Sequence, residues 1–504
     1  MDSSDFSTLI GRLEREADAH PQIYLGKVAV AAALGYLIPG LIVLAILAAA
    51  FAIVHALVVG RTPSILAAIV ILAGGAALIA VIRSLRVQVA EPDGLPLAAE
   101  EAPDLFRLLE VIARKIVPAP FATVKINGEF KLGIRQTPRW GVFGGYRSHL
   151  HVGAPLLLAL SADEFCALLA HEIAHLGGQG RKFGAWIYRL RETWNLLQSK
   201  FADPTKPLDR GLAFFYSWYA PWFHAYSFAL ARNHEYESDH IAAWVTSAQT
   251  LGRALIQQEL ASRFLSDVYW ARFLARVEEA PEPPYRPYSL LPRAFKVSEK
   301  EPSRQQWLAE AMRRYAAEND THPSLAERLA ALEIAPQLPP PTSTSAALMT
   351  LGAAASRAID HCDDVWRRQN LANWRKRHDQ IREARWKLAE YEQHDSTALA
   401  PEDLWAKASL LLTVHREEEA IDSLQQLVAR KGAFPDAHML LAQLLLKYGE
   451  EQGLQHLAAA AQQRAELADA AASIGYNYLV NRGRKTEAVR FAQRIQTLVE
   501  ASDD

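Results

Sequence analysis

The chain has 504 residues, a length that suggests about three domains. Half of the residues are hydrophobic and 22% are charged, which excludes a wholly disordered chain. The 54 basic and 56 acidic residues nearly balance, so no nucleic acid is expected as a partner. Two cysteines, Cys166 and Cys362, cannot build a disulfide framework. The mean hydropathy of −0.04 is ordinary for a soluble enzyme, yet an average can conceal a membrane segment.

Two uncharged stretches near the N-terminus predict a membrane anchor. The first contains the 33 residues between Lys27 and Arg61, and the second contains the 21 residues between Arg61 and Arg83. Because a transmembrane helix needs about 20 apolar residues, we place the two spans at 39–59 and 62–82. The alternative is a pair of buried core helices.

The same uncharged stretches predict how the two spans are connected and how they are oriented in the membrane. Residues 60–63 are expected to form a tight turn, so that the two spans make a hairpin. Residues 28–38 would lie at the membrane interface, lengthen a tilted helix, or continue past a kink at Pro39. More basic residues flank the hairpin than occupy its turn, so both ends are predicted to be cytoplasmic. The flanking residues are Arg12, Arg15, Lys27, Arg83 and Arg86, against Arg61 in the turn.

A histidine pair carries the strongest chemical signal in the chain. Ser161 and Glu164 form a capping-box pattern, which predicts the start of a helix that Gly177-Gly178 can end. On that helix His171 and His175 are four residues apart, so both side chains lie on one face and can bind a metal ion. Glu172 is placed to take a proton from a water that the metal activates. The alternative is a pair of surface histidines.

A second motif supplies the missing metal ligand. A catalytic zinc site needs a third protein ligand, with one position left for water. Glu235 and Asp239 are four residues apart on a predicted helix, and Glu235 would complete a His-His-Glu set. Asp239 could accept a hydrogen bond from the other ring nitrogen of a ligating histidine and so fix its tautomer. The alternative is a solvated acidic helix face.

Together these motifs resemble the HtpX-like membrane metalloendopeptidases, which are related to the CAAX prenyl proteases. The pattern of that family is HExxH followed by ExxxD, and 171–175 and 235–239 match it position by position. The likeness extends from about Arg86 to Leu332. It implies a gluzincin-type fold with one Zn²⁺ per chain and protein or peptide substrates.

The resemblance also gives roles to a third motif, Thr321-His322-Pro323-Ser324, which leads to Arg328. It implies that His322 stabilises the oxyanion of the reaction and that Arg328 is a nearby structural or electrostatic partner. A histidine that merely precedes a helix start is the alternative for His322. The family likeness further implies a sheet edge beside the zinc that holds the substrate as an added strand. Runs such as 123–126 and 150–152 are β-type, but no edge motif of the family is matched here.

Residues 211–231 form a third uncharged stretch, which is rich in aromatic residues. A single crossing here would separate the zinc ligands, and the only return segment, 181–200, is too charged to span a membrane. We therefore predict a helix that is broken near Pro221 and lies either in the protease or at the membrane interface. A plain core helix fits equally well.

The C-terminal part is predicted to be helical. A proline-rich linker at 336–345 precedes a long helix at 360–393, whose apolar stripe includes Trp374, Ile381 and Leu388. From about residue 401 similar residues recur every 34 positions, the spacing of tetratricopeptide helix pairs. Three such repeats would form an α-solenoid that binds a protein partner, and an ordinary helical bundle is the alternative. The recurring sets are Ala408, Ala442 and Tyr476; Leu411, Leu445 and Leu479; Ala420, Leu454 and Ala488; Leu427, Ala461 and Ile495.

The sequence thus predicts a mainly α protein: a transmembrane hairpin, a zinc protease domain with a small sheet, and a tetratricopeptide-like solenoid. The expected activity is that of a membrane-anchored zinc metalloendopeptidase that hydrolyses peptide bonds, and the resemblance implies a role in membrane or misfolded protein quality control. The expected location is the bacterial cytoplasmic membrane, with the protease domain and both termini cytoplasmic. A catalytically silent scaffold and a CAAX-type prenyl protease are the alternatives. The predicted parts are 1–27 (N-terminal segment), 28–83 (hairpin), 84–335 (metallopeptidase), 336–359 (linker), 360–395 (connecting helix) and 396–504 (repeats).

Overall fold

The computed structural model describes residues 3–62, 65–85, 93–117, 121–138, 146–177, 182–201, 207–314, 321–393 and 399–500. The chain divides into two compact units. The first contains Met1–Phe273 and Tyr285–Arg368, and the second contains Leu274–Pro284 and Gln369–Asp504. The metal-binding motifs all lie in the first unit.

Four helices precede the first strand of the described chain. They are α1 (Ser3–Ala19), α2 (Pro21–Leu34), α3 (Leu37–Val58) and α4 (Ile65–Leu85). The chain breaks between α2 and α3 at Gly35 and Tyr36, whereas Pro39, where a kink was one of three possibilities, already lies within α3. At Gly35 a Cβ atom would lie 2.6 Å from the Trp194 ring, so only glycine lets the two helices approach this aromatic cluster.

The apolar residues of α2 and of the next two helices have different surroundings. Val28, Ala31 and Ala32 of α2 are buried in a core with Trp194 and Tyr219. Helices α3 and α4 pack against each other, but most of their large apolar side chains face outward. No helix in the described part of the chain combines the length and the hydropathy needed to cross a bilayer. The membrane location stays a prediction.

The first unit contains a four-stranded sheet with strand order β1-β2-β4-β3. Strands β2 and β4 are parallel, and β3 pairs antiparallel with β4 at the edge of the sheet. One face of the sheet is apolar and buries Val124, Ile126, Leu150 and Val152 in the main core. The strands are β1 (Leu95–Pro96), β2 (Phe121–Asn127), β3 (Leu132–Pro138) and β4 (Tyr146–Gly153).

The further helices up to residue 391 build the rest of the first unit and begin the second. A π-helix at Leu265–Tyr269 joins α11 to α12. The helices are α5 (Pro103–Ile116), α6 (Ala154–Ala159), α7 (Ala162–Ala174), α8 (Lys182–Lys200), α9 (Pro207–Tyr226), α10 (Phe228–Val245), α11 (Ala248–Phe264), α12 (Trp270–Ala275), α13 (Pro287–Ser298), α14 (Arg304–Arg313), α15 (Leu325–Ala331), α16 (Ala346–Leu351) and α17 (Ala354–Tyr391).

The predicted break at Pro221 is wrong. Helix α9 runs through Pro221 to Tyr226, and the chain breaks at Ser227 instead. The Tyr24 hydroxyl bridges this break, because it donates to Tyr226 O at 2.9 Å and accepts from Leu230 N at 3.1 Å. The buried side chain of Arg191 also donates to Ser227 Oγ at 2.6 Å. These contacts fix the start of α10.

The expected linker at 336–359 is shorter in the structure. Residues 334–344 form no helix or strand, but α16 and the start of α17 follow directly. Ala346, Leu351 and Ala358 are buried in the main core of the first unit. Burial of these residues makes the segment part of the first unit, and α17 begins at Ala354 rather than at 360.

The second unit contains the later part of α17 and six shorter helices. Trp374, Ile381, Ala384 and Leu388 of the predicted apolar stripe are buried. The six helices pack in sequence, each against the next. They are α18 (Pro401–Thr413), α19 (Glu417–Arg430), α20 (Pro435–Lys447), α21 (Gln452–Gln463), α22 (Ala468–Asn481) and α23 (Lys485–Glu500).

The 34-residue period coincides with burial in these helices. Leu411, Leu445 and Leu479 occupy equivalent positions and are at most 2% exposed. Tyr476 departs from its set, because it is 39% exposed where its counterparts Ala408 and Ala442 are fully buried. The period therefore marks positions that pack between helices.

Candidate metal centre

Two helices supply the three candidate metal ligands. His171 lies near the end of α7 and His175 caps it, while Glu235 lies in the middle of α10. One ligand atom from each of the three side chains lies within 4.8 Å of the other two. The carboxylate of Glu235 is 3.6 Å from the Nε2 atom of each histidine. The structure brings together the three residues that the two sequence motifs predict.

Both ends of α7 form as predicted. Ser161 Oγ accepts from Glu164 N, and the Glu164 carboxylate accepts from Ser161 N, so the capping box is complete. After His175 the chain leaves the helix through Gly177, whose φ of 87° is a conformation that favours glycine. The histidines therefore lie on the last turn of a well-bounded helix.

Hydrogen bonds fix the tautomers of both histidines. His171 Nδ1 lies 2.9 Å from Asp239 Oδ1, so this nitrogen carries a proton and Nε2 is the nitrogen left to bind a metal ion. Ser238 Oγ donates to His234 O at 2.9 Å and can thus accept from His175 Nδ1 at 3.3 Å. Ser238 was not predicted from the sequence, although its place three residues after Glu235 puts it on the same helix face.

The ligand atoms fit a metal ion. The two Nε2 atoms face each other at 3.1 Å, so both can bind one ion when neither carries a proton. Two imidazole ligands of a tetrahedral zinc ion lie about 3.3 Å apart, given Zn–N bonds of about 2.0–2.1 Å. Both carboxylate oxygens of Glu235 are buried and accept no hydrogen bond from the described residues. A cation at this point would satisfy all these atoms.

The charges at the site are strongly coupled. Burial disfavours the charged form of His171, but the nearby carboxylates of Asp239 and Glu235 outweigh this effect and raise its pKa to about 9, so a metal ion must displace a proton from its Nε2 atom. Burial and the neighbouring His171 lower the pKa of His175 to about 3. Burial alone would raise the pKa of Glu235, yet the histidines lower it to about 2. The pocket thus holds an ionised carboxylate that attracts a cation.

An arginine supports Asp239 from α15. Arg328 Nε donates to Asp239 Oδ2 at 2.7 Å, and its Nη2 donates to the other oxygen. Both side chains are largely buried, at 16% and 2% exposure. The ion pair therefore fixes the carboxylate that orients His171. Asp239 and Arg328 thus lie beside the ligands, as the sequence predicts.

The two remaining predicted residues lie next to the ligands. Glu172 is adjacent to His171 on α7, and burial together with the charge of Glu235 raises its pKa. His322 Nε2 is 3.7 Å from Glu235 Oε1, although the His322 side chain is 61% exposed. All seven predicted site residues thus lie in one region, between α7, α10 and α15.

A comparison with protein families agrees with this geometry. Residues 141–335 match the model of Peptidase family M48. The matched segment contains all three motifs and begins well after the expected start near Arg86. No curated protein matches the chain. The family match supports a metallopeptidase, and a peptidase family implies protein or peptide substrates.

Proposed function

We propose that the chain is a zinc-dependent metalloendopeptidase of the HtpX-like group. The observation that carries the proposal is the pair of imidazole Nε2 atoms, 3.1 Å apart, that face the buried carboxylate of Glu235, inside a segment that matches Peptidase family M48. His171, His175 and Glu235 would hold one zinc ion. When bound, the ion supplies a Lewis acid that activates water near neutral pH and polarises a peptide carbonyl.

The side chains around the ligands then have separate roles. Glu172 takes a proton from the attacking water and passes it to the leaving amine nitrogen, a role that suits a partly buried carboxylate with a raised pKa. His322 Nε2 donates to the oxyanion that develops on the substrate carbonyl. Asp239 and Arg328 hold His171 in its ligating tautomer.

Glu172→Gln tests the proposal, because it removes the proton acceptor and keeps the shape of the side chain. We expect equal bound zinc in detergent-solubilised wild type and variant, with cleavage of an unfolded protein about 10²–10⁴-fold slower in the variant. Metal content and initial rates measure the two effects. No cleavage by either protein, despite a folded state and bound zinc, would contradict the enzyme and favour a silent scaffold.

We further propose that α3 and α4 anchor the protease in a membrane, with both termini and the protease on the cytoplasmic side. The support is the outward-facing apolar surface of the two helices, since so large a patch rarely faces water. Its most exposed members are Leu44, Phe51, Val58, Ile65, Leu66 and Leu72, at 63–81%. A quality-control role and a protein partner on the C-terminal repeats belong to the same proposal.

Cysteine labelling tests the anchor and its orientation. In a variant that lacks Cys166 and Cys362, Arg61→Cys places one thiol between α3 and α4. An impermeant maleimide added to intact cells should label this thiol, because the turn would lie on the non-cytoplasmic side. A cysteine placed at Ser303 is the control and should react only after lysis. Release of the protein from membranes by alkaline extraction would overturn the proposal.

A further inference from the structure

His322 lies beside the candidate metal ligands with most of its side chain exposed. Its side chain is 61% exposed, and the structure places its Nε2 atom 3.7 Å from Glu235 Oε1. An exposed side chain gains little from packing, so its position depends on the backbone that leads into α15. Whatever ties the start of α15 to α10 therefore sets the distance between His322 and the metal ligands.

The start of α15 is organised by one carboxylate. Glu327 Oε2 accepts from Ser324 N at 2.8 Å, and Ser324 Oγ accepts from Glu327 N at 3.3 Å, which completes a capping box. The other oxygen, Glu327 Oε1, accepts from Arg232 Nη2 at 2.5 Å. Arg232 belongs to α10, one turn before Glu235. The same side chain thus shapes the first turn of α15 and ties it to the metal-ligand helix.

Two ion pairs of opposite polarity join these helices. In one pair α10 contributes the cation, Arg232, to Glu327, and in the other it contributes the anion, Asp239, to Arg328. The second pair also orients His171, so it cannot be altered without disturbing the metal site. Among the described residues, the first pair makes no hydrogen bond or ion pair with a candidate metal ligand. It can therefore be changed separately.

We propose that Arg232 and Glu327 are positioning residues that hold His322 beside the metal centre. The inference rests on the proposed function only in that His322 acts on the reacting peptide. The pair is partly exposed, at 20% and 41%, and such pairs contribute little to stability. A displacement of about 1 Å at a catalytic group, by contrast, can cost about 10²-fold in rate. Loss of the pair should thus affect turnover far more than folding.

Glu327→Gln is the central variant, because glutamine can still complete the capping box but lacks the charge that binds Arg232. We expect kcat to fall about tenfold, with KM and bound zinc unchanged. Arg232→Gln should give the same loss, and Arg232→Lys should retain most of the rate. Glu164→Gln is the matched control: it alters the capping box of α7, where no described arginine pairs with the glutamate.

A double-mutant cycle with His322→Ala shows whether the pair acts through His322. If it does, Glu327→Gln will cause no further loss of kcat in the His322→Ala background. Additive losses, loss of zinc in the Glu327→Gln protein, or an equal loss in the Glu164→Gln control would each overturn the proposal.

A readout independent of activity separates this proposal from the peptidase function. Diethyl pyrocarbonate modifies accessible histidines, and peptide mass spectrometry gives the rate at His322 in the zinc-loaded full chain. The rate should rise severalfold in Glu327→Gln and stay at the wild-type value in Glu164→Gln. An unchanged rate would overturn the positioning role even if the chain is a peptidase. A raised rate would support it even if the wild type cleaves nothing.

Discussion

Single hydrogen bonds decide the chemistry of the metal centre. Asp239 and Ser238 each occupy the Nδ1 side of one histidine, and this leaves both Nε2 atoms directed at Glu235. The two supports differ in strength, because the bond from His171 ends on an ionised carboxylate and the bond from His175 ends on a hydroxyl. The carboxylate is also paired with a buried arginine. Asp239 is thus the more important support.

Asp239→Asn should weaken zinc binding about 10–100-fold, the usual cost of losing a partner of a metal ligand. An amide can present its NH₂ group to His171 and no longer neutralises Arg328, so the histidine loses its fixed orientation. Competition with a chromogenic chelator gives the zinc affinity. Glu237→Gln, on an exposed face of the same helix, is the control. Equal affinities of the wild type and Asp239→Asn would rule out this role.

Helices in the second unit are joined by a pair of histidines. His438 Nε2 donates to Gly432 O at 3.1 Å, so its Nδ1 accepts from His456 Nδ1 at 2.9 Å. His438 belongs to α20 and His456 to α21, and this pair therefore links the two helices of one hairpin. Burial, and to a lesser degree the approach of His438, lowers the pKa of His456.

This lowered pKa predicts a pH-dependent stability of the second unit. His456 has a pKa of about 6.5 in the unfolded chain and a lower pKa in the folded chain. As the pH falls from about 7 to 5, the unfolded chain therefore binds a proton at His456 more readily than the folded chain does, and the free energy of unfolding decreases. Thermal unfolding at several pH values measures the slope. The slope should decrease in His456→Gln and persist in His415→Asn, which removes an exposed histidine. An identical slope in His456→Gln would contradict the prediction.

At the scale of the whole molecule, the metal site belongs to one of two compact units. A zinc ion that binds the folded state alone adds about 2.7 kcal/mol to its stability at a free concentration of 100 times Kd. Every proposed ligand lies within Met1–Phe273. The effect of metal on unfolding should therefore be confined to the first unit.

Zinc removal checks this expectation in the full chain. Calorimetry should show two transitions, and a chelator should lower the temperature of one of them by several degrees while the other stays unchanged. Zinc added back in excess should restore the first transition. His171→Ala, which removes a ligand, should make both transitions insensitive to the chelator. An equal shift of both transitions would show that the units do not unfold separately.

The sequence alone determined the local features of the site. A period of four on helices placed His171 with His175 and Glu235 with Asp239, and the capping pattern of Ser161 and Glu164 located the start of α7. These features depend on helix geometry and on backbone groups within a few residues. The 34-residue period likewise predicted buried positions such as Leu411 and Leu445, because repeated packing leaves a repeated pattern.

Only the tertiary structure showed which hydrogen bonds, ion pairs and core contacts join segments that are far apart in the sequence. The break at Ser227 rather than Pro221 depends on Tyr24, and the burial of Ala346 and Ala358 depends on the main core. Ser238 and the Arg232–Glu327 pair acquire their partners only when α7, α10 and α15 pack together. These contacts join residues that are far apart in the sequence, and the pattern of a single sequence does not show which distant residues come close in space. Residue types and helical spacing therefore predicted the ligands, whereas packing determined how their supports are arranged.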